Sequence, residues 1–183
     1  MSELIRPERT PSHPNTALHM SALAYFLTFS SYGTHLPGSE KGWVTAQHNA
    51  YGSPALPSNP SRKAYWQTHL HESPLVLDHE AREIILNALI AVCSHRQWTA
   101  HALHIRTTHV HAVISGQAPP ERMLSDFKSY ATRALRRALG PGERHQYWTR
   151  HGSTRYLWNE VSLRAAIDYV LNGQGEKLAY HSC

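Results

Sequence analysis

Several features are scarce in this sequence, and each scarcity excludes a class of protein. The only two cysteines are Cys93, inside a helical pattern, and Cys183, so a disulfide framework of the kind found in small secreted scaffolds is excluded. No apolar run approaches the roughly 20 residues that cross a bilayer. The first sixteen residues contain no apolar signal core. We therefore expect a cytoplasmic protein that does not use a membrane as a partner.

The length of 183 residues and the hydrophobic fraction of 41% fit one globular domain with a core of its own. Residues 1–20 predict a flexible N-terminal arm, residues 21–175 the domain, and residues 176–183 a C-terminal tail. Within the domain, residues 33–77 are rich in glycine, proline, serine and asparagine and predict one long loop.

Histidine, by contrast, is abundant, with 15 in the chain. The stretch Thr108-His109-Val110-His111-Ala112-Val113-Ile114 has the alternation of a strand, in which residues two apart point to the same side. His109 and His111 therefore project together, and two imidazoles on one strand can hold a divalent ion. Imidazole suits Zn, Mn, Fe, Ni and Cu better than Mg, so the ligand type leaves the metal open.

The remaining patterns predict an α+β fold. A strand is predicted at 22–30, a helix that begins after Asp78, two strands at 98–105 and around His109, a helix from Glu121 to Leu139, and a last helix after Asn159. This order matches a ferredoxin-like antiparallel sheet with helices packed on one face. The two histidines would then lie on the open face.

The predicted helix 121–139 carries Tyr130 nineteen residues after His111, at the margin of its apolar stripe. From Glu121 to Arg164 there are nine basic residues against four acidic ones, an excess equal to the net charge of +5 of the whole chain. Such a region attracts phosphates. If the helix wraps the sheet edge, Tyr130 could attack a DNA phosphate polarised by the metal and form a phosphotyrosine bond. The predicted DNA contacts are Lys128, Arg133, Arg136, Arg137, Arg150 and Arg155.

These residues resemble a known family. The pair His109-Val110-His111, the downstream Asp126-Phe127-Lys128-Ser129-Tyr130, and the later Trp148, Trp158 and Tyr169-Val170-Leu171 are similar to HUH single-tyrosine transposases, in particular REP-associated tyrosine transposases. The resemblance implies a ferredoxin-like nuclease fold, dependence on Mg or Mn, and cleavage of single-stranded DNA near a hairpin through a 5′-phosphotyrosine intermediate. It leaves open whether the protein acts as a monomer or a homodimer.

One position departs from the family pattern. Related transposases are expected to supply a polar third metal ligand one turn after the tyrosine, and Ala134 occupies that position here. Asp126, one turn before Tyr130, is the alternative ligand, because residues four apart share a helix face.

Two other functions are compatible with the sequence. Without a third ligand, the chain could be a catalytically weak or inactive descendant that binds structured nucleic acid. A histidine-liganded hydrolase of small molecules, with a purely structural Tyr130, is the third hypothesis, and the clustered basic residues speak against it.

Overall fold

The computed structural model describes residues 22–40, 42–43, 54, 56–140, 142 and 144–182. The predicted N-terminal arm, part of the predicted long loop and Cys183 lie outside these ranges. The elements are, in chain order, β1 (Ala24–Ser30), α1 (Pro60–Thr68), α2 (His79–Arg96), β2 (Thr99–Ile105), β3 (His109–Ser115), α3 (Pro120–Leu139), β4 (Ser153–Leu157), α4 (Glu160–Asn172) and β5 (Ala179–Ser182).

The five strands form one antiparallel sheet in the order β4-β1-β3-β2-β5. The first four strands with α2 and α3 make a split β-α-β-β-α-β arrangement, which confirms the predicted α+β, ferredoxin-like fold. Helix α4 and strand β5 extend this unit. Because β5 pairs with β2, the predicted C-terminal tail contributes an edge strand to the sheet.

Each face of the sheet has its own apolar core. The larger core packs α2 and α3 against side chains such as Phe29 of β1 and Val110 of β3. The smaller core packs α4 through Leu163, Ala166 and Val170. We call these sides the α2–α3 face and the α4 face. The expectation that helices cover only one face is therefore wrong, since the last predicted helix crosses to the other side.

Local sequence signals account for the helix starts. The carboxylate of Asp78 accepts a hydrogen bond from the Ala81 N–H at 2.8 Å, which caps α2 as predicted. Asn159 caps α4 in the same way, with its side-chain oxygen 2.9 Å from the Ser162 nitrogen.

Helix α1 interrupts the predicted long loop. Asn59 caps it, and Pro60 takes the first helical position, where its missing N–H has no cost. The Asn59 backbone passes close to Gly38, which has a φ of +91° and at which an added Cβ would clash with the Asn59 carbonyl oxygen. Within the ranges given above, no helix combines the length and apolar character needed to cross a membrane.

Candidate active site

Strand β3 presents its two histidines on the α4 face. The rings of His109 and His111 have centroids 4.7 Å apart and planes at 76°. Val110 and Ala112, the alternate residues, lie in the core of the α2–α3 face. The predicted strand geometry is thus confirmed, whereas the role of these imidazoles as metal ligands stays a prediction.

The environment of His111 keeps its ring neutral. The side chain is buried, and its Nδ1 lies 2.9 Å from the Thr28 hydroxyl of β1. Burial, assisted by the neighbouring His109, lowers the pKa of His111 to about 3. A hydrogen bond with the Gln174 side chain acts in the opposite direction. A neutral imidazole held through one nitrogen by a hydroxyl can offer the other nitrogen to a metal ion.

Tyr169 of α4 lies against His111 of this pair. Its ring centroid lies 5.7 Å from that of His111, with the planes at 70°. Phe26 of β1 supports both rings, with centroids 5.5 Å from His111 and 5.9 Å from Tyr169. Tyr169 is 47% exposed, so an external molecule can reach this side chain while its ring remains held by its neighbours.

The end of α4 brings two further residues to this place. Gly173 lies against Tyr169, where an added Cβ would come within 3.0 Å of the tyrosine Cδ2. Gln174 follows, and its side chain hydrogen bonds to His111. Its amide nitrogen also lies 3.5 Å from the Tyr169 carbonyl oxygen. The helix end therefore links the tyrosine to the histidine pair.

A third histidine on the same face is structural. His104 of β2 is fully buried, and its Nδ1 lies 2.9 Å from the Val170 carbonyl oxygen. Its Nε2 accepts a hydrogen bond from the Leu178 N–H at 3.2 Å. Both ring nitrogens of His104 are therefore used to join α4 and the segment before β5 to the sheet.

Tyr130 does not reach the histidine pair. It lies on α3 and packs at the border of the core on the α2–α3 face, with the Arg133 guanidinium 4.3 Å from its ring centroid. The sheet separates this residue from His109 and His111. The expectation that α3 would wrap the sheet edge and deliver Tyr130 is therefore corrected: α3 is tied to α2 and to that core by its buried stripe.

Asp126 is likewise separated from the two histidines. Its carboxylate forms ion pairs with Arg96 of α2 at 3.1 Å and with Arg122 one turn earlier at 3.5 Å. These partners hold it between the two helices on the α2–α3 face. In the part of the chain that the structure describes, no cluster of three or more His, Cys, Asp or Glu residues could hold a metal ion.

The six predicted DNA contacts do not form one surface. Arg133, Arg136 and Arg137 lie exposed on α3, and Arg150 is exposed in the segment before β4. Arg155 of β4 is opposite Phe26 of β1, on the α4 face. Arg155 is therefore beside the candidate site, whereas the arginines of α3 lie across the sheet from it.

Lys128 is a structural residue rather than an exposed DNA contact. Its ammonium donates hydrogen bonds to the carbonyl oxygens of Thr149 at 2.8 Å and His151 at 3.1 Å. It also lies 5.9 Å from the centroid of the Phe29 ring. Burial lowers the pKa of Lys128. This side chain holds the segment before β4 against α3.

Replacing Lys128 with methionine should therefore reduce stability. The two carbonyls lose a charged donor, and hydrogen bonds to charged groups contribute about 1.5–3 kcal/mol. For a chain of this size, in which 1 kcal/mol corresponds to about 2–4 °C, we expect a melting temperature lower by roughly 3–12 °C. Arg137→Met, at an exposed position of the same helix, is the matched control and should shift the melting temperature little. Equal melting temperatures for the two variants would contradict the anchoring role.

The comparisons with known proteins concern the fold. No known family profile matches the sequence, and no curated protein matches it significantly. Among solved structures, the fold is similar to a REP-associated tyrosine transposase bound to a REP hairpin, with 13% identity, a TM-score of 0.46, and coverage of 94% of this chain and 72% of the other. It is also similar to a candidate transposase from Deinococcus radiodurans R1, with 14% identity, a TM-score of 0.47, and coverage of 98% and 100%.

Proposed function

We propose that this protein is a metal-dependent endonuclease and strand transferase for single-stranded DNA, with Tyr169 as its nucleophile. The observation that supports the proposal is the accessible Tyr169 side chain packed against the ring of His111, which in turn adjoins the ring of His109. In this proposal Tyr169 takes the role that the sequence had suggested for Tyr130. The target would be a DNA strand near a hairpin, as the family resemblance implies.

The proposed reaction is a transfer of a phosphodiester from one oxygen to another. The Tyr169 hydroxyl oxygen forms a bond to phosphorus, and the bond from phosphorus to the 3′ oxygen breaks. The proton lost by the phenol is balanced by the proton gained by the leaving 3′ hydroxyl. The product is a 5′-phosphotyrosine, and a second 3′ hydroxyl can reverse the step on another strand without a nucleotide cofactor.

The residues present fit a divalent cation. His109 and His111 supply two imidazoles with ring centroids 4.7 Å apart. The side chain of Gln174 is hydrogen-bonded to His111, and its carbonyl oxygen would become a third donor only if that bond were released to the ion. Gln174 stands directly after Gly173, which is one turn beyond Tyr169, close to where the family pattern expects a polar ligand. Two imidazoles favour Mn over Mg. When bound, the ion would neutralise a phosphate oxygen and stabilise the charge of the transition state.

The Thr28 hydroxyl and the Phe26 ring position the side chains of His111 and Tyr169. Thr28 fixes the ring orientation of His111 through its Nδ1. Phe26 contacts both the His111 and Tyr169 rings, so it holds the tyrosine at a set distance from the ligand pair. Such preorganisation avoids the cost of bringing nucleophile and electrophile together at the moment of reaction.

The experiment is to incubate the full chain with labelled single-stranded DNA that contains a hairpin, in the presence of Mn²⁺ or Mg²⁺. We expect a protein–DNA adduct that survives denaturing electrophoresis and a free 3′ hydroxyl on the released strand. Chelation of the metal should prevent both products. If a folded protein yields no adduct and no cleavage over a panel of hairpin substrates in either metal, the nuclease proposal is wrong.

The same assay distinguishes the nuclease from a protein that only binds DNA. Because the regions covered by the structure contain no group of three or more His, Cys, Asp or Glu residues that could hold a metal ion, a descendant that binds structured DNA without cutting it is the second candidate. Retention of the labelled hairpin in a chelator, with no breakage when the metal is restored, would favour that function over the nuclease.

A further inference from the structure

The edge strand β4 and the residue that follows it expose two aromatic rings that the proposed reaction does not use. Tyr156 is 43% exposed and Trp158 is 52% exposed. Their rings are nearly parallel, at 14°, with centroids 5.4 Å apart. On the inner side, Tyr25 of β1 meets Tyr156 edge-on at 5.2 Å and 87°. We call the rings of Tyr156 and Trp158 the platform; Tyr156 is held in it between the rings of Tyr25 and Trp158.

The alternation of β4 connects this platform to the candidate site. Tyr156 projects from one side of the strand, while its neighbour Arg155 projects towards the α4 face, opposite Phe26. Phe26 in turn contacts both Tyr169 and His111. An extended ligand that crosses the edge of β4 would thus contact aromatic rings on one side of the strand and, on the other side, the guanidinium of Arg155 near the candidate nucleophile.

We propose that β4 is a track for single-stranded DNA, on which Tyr156 and Trp158 stack bases and Arg155 contacts the backbone of the strand that leads to Tyr169. This inference rests on the proposed function and assigns to it the path of the substrate. Exposed aromatic rings bind unpaired bases of any sequence because every base has a π face. In a duplex the bases are already stacked, so the platform selects single strands.

The charges on the two sides of β4 determine the orientation of the bound DNA strand. Thr154, on the same side of β4 as Tyr156, donates a hydrogen bond to Glu121 at the start of α3, so a carboxylate lies on that side of the strand. Phosphates are repelled there and are attracted to the side that carries Arg155. Bases therefore face the rings while the backbone keeps to the α4 face.

The test measures binding without chemistry. Fluorescence anisotropy with a labelled, unstructured oligonucleotide of about twenty deoxythymidines is carried out in a chelator, so cleavage cannot contribute. We expect Trp158→Ala to weaken binding about tenfold and Trp158→Phe, which keeps an aromatic face, to weaken it much less. Blunt duplex DNA should bind the wild type and both variants equally.

Matched controls separate stacking from other causes. Trp66 on α1 is 42% exposed, so Trp66→Ala removes a similar amount of aromatic surface at another place and should leave oligonucleotide binding unchanged. Arg155→Gln should weaken binding and reduce the slope of log affinity against log salt by about one. Melting temperatures of all variants show that each protein is folded.

The contrary results are distinct. Equal oligonucleotide affinity for wild type and Trp158→Ala would overturn the track, and so would an equal loss in Trp66→Ala. If Trp158→Ala instead dissociates a dimer seen by light scattering and leaves DNA binding intact, the platform is a protein interface. Failure of the nuclease would appear as missing adducts with the stacking effect preserved, so the two proposals can fail separately.

Discussion

Tyr169→Phe is expected to abolish the covalent protein–DNA adduct, whereas Tyr130→Phe is expected to leave it. Phenylalanine at position 169 keeps the ring that packs on Phe26 and His111 but lacks the oxygen that would form the bond to phosphorus. At position 130 the same change keeps the ring beneath Arg133, on the far side of the sheet from the histidines. The measurement is denaturing electrophoresis of each variant after incubation with labelled hairpin DNA and Mn²⁺.

The two tyrosines are controls for each other. Both are partly exposed and both lie on helices that pack on the sheet, so the loss of one phenol should affect stability to a similar, small extent. Anisotropy in a chelator should show that both variants still bind DNA. An adduct that persists in Tyr169→Phe and disappears in Tyr130→Phe would contradict the geometry and require that α3 be supplied to the site by another subunit.

The position of the histidine pair could be predicted because strand alternation is a local property. His109 and His111 share a face whatever the rest of the chain does. The nucleophile could not be predicted in the same way. Tyr130 is nearer in sequence, but the face that a helix takes is decided by long-range packing. Tyr169 stood in a stretch already noted for its resemblance to the family, and only the placement of α4 shows that it faces His111.

Lys128 and Asp126 show the same limit for charged residues. A helix rich in basic side chains predicts phosphate binding, yet Lys128 meets carbonyl groups from residues 149 and 151, which only a folded chain brings close. Asp126 meets Arg96 from another helix. In both cases the charged side chain contacts a group that is distant in sequence, whereas local reasoning had predicted that it would contact a ligand.

The missed elements are short ones. Strands β4 and β5 have five and four residues, and an edge strand of that length has too few alternating positions to stand out from a loop. Helix α1 has no buried residue, so it lacks the apolar stripe by which helices are recognised. Its cap and proline, Asn59-Pro60, were the signal that could have identified it.

His111→Ala should have the second largest effect, the loss of metal-dependent activity. The variant removes a buried imidazole whose Nδ1 is held by Thr28, so the proposed ion loses a ligand of fixed orientation. Loss of a partner that merely supports a ligand typically lowers metal affinity or activity by about 10–100-fold. We therefore expect Mn²⁺-dependent adduct formation to fall by at least about 100-fold in His111→Ala and by about tenfold in Thr28→Val.

Titration calorimetry with Mn²⁺ in the absence of DNA separates ligand loss from unfolding. His101→Ala is the matched control, because His101 also lies on the sheet but bonds to the Ser115 hydroxyl at 2.6 Å, away from the pair. His101→Ala should bind Mn²⁺ as the wild type does, and His111→Gln, which fills more of the space left by the ring, tests whether a cavity rather than a missing ligand causes the loss. Wild-type Mn²⁺ affinity in a folded His111→Ala protein would show that the ion, if the reaction uses one, is held by other residues. In that case the role of Tyr169 would have to be argued from its contact with DNA alone.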